Sequence, residues 1–175
     1  SEMCIRDSIV TLGKALSAGV YPVSAVLADK DIMLCIRPGE HGSTYGGNPL
    51  GSAVAITALD VIVSDKLAER AEHLGQVFRH VLSECKNPLL TEVRGKGLLN
   101  AIVIDETKSL KKRTAWDLCL LLKDKGVLAK PTHQNIIRLA PPLVITQEEL
   151  GHGLRAIFEA LEELDSVDVI PGTDR

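Results

Sequence analysis

The sequence predicts an α/β fold in two parts: the edge of an α/β layer over residues 1–66 and a smaller α+β unit over residues 67–165. Three observations predict it. Short apolar runs at residues 9–12 and 23–28 are bounded by Gly13, by Tyr21-Pro22 and by Asp29-Lys30-Asp31, the punctuation expected around strands. A Gly-rich polar stretch then leads into an Ala-rich helical run. Beyond residues 63–67 the texture changes to amphipathic helices interleaved with short strands, so the domain boundary is placed there.

The elements follow in order. After the strand at residues 9–12 and the one at 23–28, the loop runs from Pro38-Gly39 through Gly47. Asn48 is a suitable cap and Pro49 a suitable first residue for a helix over 50–63, which is apolar on nearly every side and therefore expected to be buried. A second helix starts at Asp65. It carries Leu67, Ala71, Leu74, Phe78 and Leu82 on one stripe and Glu69, Arg70, Glu72, Gln76 and Arg79 on the other.

Lys86-Asn87-Pro88 breaks that helix. Strands at 90–94 and 98–104 flank Gly95-Lys96-Gly97, which reads as a tight turn. A helix over 114–125 closes at Gly126, and strands at 127–130 and 136–139 follow. Thr146-Gln-Glu-Glu149 is a capping box opening a last helix with an apolar stripe of Leu150, Leu154, Ile157, Phe158, Leu161 and Leu164. Residues 166–175 read as a disordered polar tail, and residues 1–8 as a stretch foreign to the fold.

Composition narrows the function. The chain has 175 residues, and an apolar share of 45% with a charged share of 25% is that of a globular protein rather than a disordered one. A net charge of −3 supplies no basic field, which argues against nucleic acid as a partner. No apolar run has the length to span a membrane. Cys4, Cys35, Cys85 and Cys119 are widely spaced, with no C-x-x-C pair, so neither a zinc site nor a compact disulfide framework is expected.

Two stretches carry chemistry together. Lys14 follows the first strand in Leu12-Gly-Lys14-Ala-Leu-Ser, where an amine is able to form an imine with an aldehyde cofactor. Position alone favours a solvated loop lysine. The turn Gly39-Glu-His-Gly-Ser43-Thr44-Tyr-Gly-Gly-Asn-Pro-Leu50 changes that balance, because Ser43 and Thr44 offer hydroxyl and N–H donors, the glycines admit a phosphate to the backbone, and a helix N-terminus follows. A lysine beside a phosphate cradle with no Walker-type loop suggests pyridoxal 5′-phosphate (PLP). Arg138, in Asn135-Ile-Ile-Arg138-Leu-Ala-Pro-Pro-Leu143, is either a structural ion-pair partner or a bidentate grip for a carboxylate. Lys111-Lys112-Arg113 reads as a solvated loop.

These stretches resemble the carboxy-terminal part of the class III PLP-dependent aminotransferases, the ornithine-using members above all. Further likeness lies in Tyr21-Pro-Val-Ser-Ala-Val-Leu27, Arg94-Gly-Lys-Gly-Leu-Leu-Asn-Ala-Ile-Val-Ile104 and Leu128-Ala-Lys-Pro-Thr-His133, so that it covers residues 9–164. The resemblance implies a fold-type I transferase. Lys14 would hold PLP as an imine and shuttle the proton between the substrate α-carbon and the cofactor. Thr44 and the Ser43 backbone would bind the cofactor phosphate of a neighbouring subunit, giving a homodimer with shared active sites, and Arg138 would grip an α-carboxylate.

The implied reaction moves the δ-amino group of ornithine to 2-oxoglutarate, in the mitochondrial matrix or the cytoplasm. Amino-acid and 2-oxo-acid substrates would be its small-molecule partners. Acetylornithine or 4-aminobutyrate is the alternative substrate, and a non-catalytic dimerising module the alternative role. The family's amino-terminal half has no counterpart here, so the chain is expected to be inactive alone.

Overall fold

A computed structural model describes residues 8–172, and the chain divides into two compact units, residues 1–66 and 67–175. The stretch read as foreign lies outside the described residues except for Ser8.

In the first unit, β1 (Ile9–Leu12) pairs antiparallel with β2 (Ala25–Ala28), Ile9 opposite Ala28 and Leu12 opposite Ala25. The second strand starts two residues later than the sequence suggests. Its partner ends at Leu12, so residues 23 and 24 have nothing to pair with. A 3-10 turn (Lys14–Ser17) follows β1, and a short helix α1 (Lys30–Met33) follows β2.

The long helix α2 (Pro49–Ser64) is capped as expected: the Asn48 side chain accepts from the Gly51 N–H at 2.7 Å, with Pro49 in the first turn. Its expected burial does not hold. Only Gly51 is buried along it, while Ile56 is 60% and Val63 76% exposed. An all-round apolar helix is stable in water only when covered, and among the described residues only the 3-10 turn and its surroundings pack on one side of this one.

The second unit is a four-stranded antiparallel sheet in the order β3 (Leu90–Lys96), β4 (Leu99–Ile104), β6 (Ile136–Leu139), β5 (Lys130–Thr132). The helices α3 (Leu67–Ser83), α4 (Ala115–Asp124) and α5 (Gln147–Glu163) pack on one face of it. Leu67, Ala71, Leu74, Phe78 and Leu82 of α3 are all buried, as the helical period requires. All of them but Leu67 share one core with Ile102, Ile104 and Ile137 of the sheet and with Leu118, Leu122, Ile157 and Leu161 of the other helices. Thr146 and Glu149 close the capping box at the start of α5, and Thr114 with Asp117 forms a second one on α4.

Four local expectations are corrected. The Arg94-Gly95-Lys96 stretch continues β3, with Gly95 opposite Asn100 and Lys96 opposite Leu99, so the hairpin turns at Gly97-Leu98 instead. Residues 127–129 are not a strand: the Val127 N–H closes α4 on the Leu122 carbonyl, and pairing begins at Lys130.

Residues 166–172 are not a disordered tail, because Ile170 is fully buried in the core. Lys111 and Arg113, read as solvated, anchor that segment. Lys111 Nζ donates to the carbonyls of Ser166 and Val167 and to Asp168, and Arg113 donates to the carbonyls of Val167 and Asp168. Ile170, with Val167 packed beside the core, and the cations on its carbonyls hold this polar segment.

The hairpin between β3 and β4 is fixed by a polar network on α3. Glu72 accepts from the Gly97 N–H at 3.1 Å, and Arg79 donates to the Gly97 carbonyl at 2.9 Å and to the buried Asn100 at 2.7 Å. Hydrogen bonds from Gln76 and from the Gly97 backbone hold the Glu72 carboxyl below its usual range. Gly75 permits this approach, since a Cβ there would meet the Gly97 carbonyl oxygen at 1.8 Å.

Candidate cofactor and substrate residues

Lys14 sits two residues beyond the end of β1, where the strand hands over to the 3-10 turn. Its backbone is left-handed, with φ 52°, a conformation that costs a non-glycine residue free energy and concentrates at functional positions. The left-handed residue is Lys14 itself, since Gly13 before it is extended, at φ −174°. The Lys14 side chain is exposed and has no hydrogen-bond or ion-pair partner among the described residues.

Ser43 and Thr44 lie on the exposed turn before α2. Ser43 Oγ accepts from the Gly46 N–H at 2.9 Å, which leaves its own proton free to donate. The approach is close enough that a Cβ at Gly46 would fall 2.9 Å from the Ser43 Cβ. Asn48 ties the end of the turn by donating to the Tyr45 carbonyl at 2.9 Å, while its oxygen caps α2. The N–H groups of Ser43 and Thr44 and the Thr44 hydroxyl have no partner among the described residues. Unpaired donors on a glycine-rich turn leading into a helix N-terminus are the chemistry that receives a phosphate.

A cavity of about 520 Å³ opens beside this turn, lined by Tyr21, Ser24, Ser43, Tyr45, Asn48 and Ser52 among others. Neither Lys14 nor Thr44 lines it, so the lysine and the phosphate donors do not meet in one cavity of this unit. No local signal in the sequence marks Tyr21, Ser24 and Ser52 as walls. They become neighbours of the turn only when residues 21–24 fold back towards residues 43–52.

Arg138 stands on β6 between the buried Ile137 and Leu139, on the sheet face away from the helices. It is exposed and has no ion-pair or hydrogen-bond partner among the described residues. A larger cleft of about 910 Å³ in the second unit, between the segment 139–146 and α5, contains none of the sequence-derived site residues. Among the described residues there is no cluster of potential metal ligands, and no helix is long and apolar enough to cross a membrane. Burial pushes the Cys119 thiol up to about 11, so it is a packing residue and not a nucleophile at neutral pH.

Comparison with known proteins adds the context. The family model described as aminotransferase class-III matches residues 3–161, beginning inside the stretch read from the sequence as foreign. The ornithine aminotransferase of Emericella nidulans is 61% identical over 163 residues, 93% of this chain and 36% of that protein. Among solved structures, the acetylornithine aminotransferase of Elizabethkingia anophelis aligns with a TM-score of 0.82 and 57% identity, over 91% of this chain and 42% of that one. The ornithine aminotransferase of Toxoplasma gondii, crystallised with partial occupancy of PLP at its active site, aligns with a TM-score of 0.83 and 44% identity, over 91% and 37%. The chain thus spans little more than a third of the length of such curated relatives. With a family model covering most of its residues, this chain belongs to the class-III aminotransferases.

Proposed function

We propose that this chain is the carboxy-terminal part of a PLP-dependent transaminase that moves the δ-amino group of L-ornithine to 2-oxoglutarate, giving glutamate semialdehyde and glutamate. The observation that carries the reading is the unpartnered Lys14 amine presented at a strand end by a left-handed backbone. It is supported by the free donors of Ser43 and Thr44 and by identity to ornithine aminotransferases.

When bound, PLP supplies a reactive aldehyde and an electron sink for the bonds to the substrate carbon. Lys14 would hold the cofactor through Nζ, and the same nitrogen would move the proton at the carbon that bears the transferred amino group, Cδ of ornithine or Cα of glutamate. The Ser43 and Thr44 N–H groups and the Thr44 hydroxyl hold phosphate oxygens. Arg138 orients the acid substrate by a bidentate grip on its carboxylate.

The turn serves the site of a second subunit, in a homodimer with shared active sites. The exposed apolar side chains of α2 support this, since they supply surface for association. In an intact enzyme carrying this chain, Lys14→Ala is expected to abolish transamination while some PLP still binds non-covalently. Turnover at the parent rate in that variant would refute the role of Lys14.

A further inference from the structure

Residues 166–172 form no strand or helix, and they lie past residue 161, where the match to the family model ends. The loop between β4 and α4 holds them. Lys111 Nζ donates to the Ser166 and Val167 carbonyls at 3.1 and 2.9 Å and to the Asp168 carboxylate at 2.8 Å, which uses all three ammonium protons. Arg113 donates to the Val167 and Asp168 carbonyls at 2.8 and 3.0 Å. Ile170 is fully buried, whereas Asp168 and Val169 are exposed. At the near end Asp165 is pinned to the same loop by the Ser109 hydroxyl and by the Leu110 and Lys111 N–H groups.

Three features oppose this closure. Arg113 Nε is buried with no hydrogen-bond partner among the described residues, and a desolvated donor on a charged group costs free energy. Lys112, between the two cations, is held left-handed at φ 57°. The Lys111–Asp168 pair is open to water on its acidic side, so salt screens it. The helices α3, α4 and α5 and the sheet share a core that does not need Ile170 to be continuous. We infer that residues 166–172 are a latch, hinged at Asp165, that opens and closes as one unit while the rest of residues 67–165 stays folded. Ile170 is its plug, and Lys111 and Arg113 are its catch. Opening uncovers the socket of Ile170 and frees two cations, and rising ionic strength favours it. None of the proposed cofactor or substrate residues belongs to the latch, so it stands apart from the transaminase reading.

The test is amide hydrogen exchange, read by mass spectrometry on an intact enzyme carrying this chain, with a free peptide of residues 165–172 as the unprotected reference. In the parent the latch amides should exchange more slowly than in that peptide and faster than those of α5. Raising salt from about 0.01 to about 1 M should speed latch exchange about twofold to fivefold relative to the peptide, the range of an exposed ion pair, with α5 unchanged. Lys111→Met should speed it about tenfold, remove most of the salt response and again leave α5 unchanged. Ile170→Ser should bring the latch close to the peptide rate. Latch and α5 amides that exchange together under every condition would overturn the proposal, because the segment would then open only when the whole unit unfolds. Exchange at the peptide rate in the parent would overturn it too, and so would a latch indifferent to both salt and Lys111→Met.

Discussion

The two units of this chain handle their apolar residues in opposite ways. In residues 67–172 the helical stripes and one sheet face close on each other, and residues as large as Ile102, Leu122 and Leu161 lose almost all contact with water. In residues 8–66 the apolar side chains of β1, β2 and α2 stay largely exposed, and the fully buried positions are Ser17 and Gly51. Hydrophobic content is therefore no guide to burial on its own. An amphipathic helix states which face it buries, whereas α2, apolar all round, states only that something must surround it. The unit holding Lys14 and the Ser43–Thr44 turn leaves apolar faces uncovered by the described residues, which accords with the proposal of a shared, two-subunit site.

Substitutions sharpen this contrast, beginning with the largest effect. Ile102→Ala should destabilise the second unit by about 2–5 kcal/mol in urea denaturation, because it empties a fully enclosed position. Gly75→Ala should cost about 1–3 kcal/mol or more, since the added methyl collides with the Gly97 carbonyl and the hairpin must move. Parent-like stability in either would mean that the second unit is not closed as described. Thr146→Ala, which opens the capping box of α5, should cost about 1 kcal/mol. Ile56→Ser on α2 should shift the stability of this chain by no more than about 0.5 kcal/mol while lowering self-association in sedimentation. A loss as large as that of Ile102→Ala would show that α2 is covered within the chain after all.

Acid provides a gentler probe of the second unit. Burial pushes the Asp165 carboxyl up, but hydrogen bonds from the Ser109 hydroxyl and from the Leu110 and Lys111 N–H groups outweigh it and hold the group below its usual range. A carboxyl depressed in the folded state adds stability that is complete above its unfolded pKa, about 4, and is lost as pH falls through the lower folded value. Stability should therefore decline below about pH 4, and the decline should be shallower in Asp165→Asn. An equally steep loss in that variant would assign the acid sensitivity elsewhere.

The second unit was the more legible in sequence. The stripe from Leu67 to Leu82 and the capping box at Thr146 each encode their own burial or boundary at helical spacing, and both are realised. Its misreadings lay where partners distant in sequence decide the outcome. Ile170 is held by the core and by Lys111 and Arg113, and the hairpin turn is set by Glu72 and Arg79 from another element. The candidate site shows the same division. The Lys14 strand end and the Asn48-Pro49 helix start were readable locally. The left-handed backbone at Lys14 and the walls formed by Tyr21 and Ser24 arise only from the fold.

The central claim is that Lys14 is the lysine that holds PLP. The most direct test is borohydride reduction of an intact enzyme carrying this chain, saturated with PLP, followed by peptide mass spectrometry. The account predicts one dominant pyridoxyl-lysine, on the peptide containing Lys14, and its loss in Lys14→Ala. Stoichiometric labelling of a different lysine, or label spread evenly over exposed lysines, would contradict it.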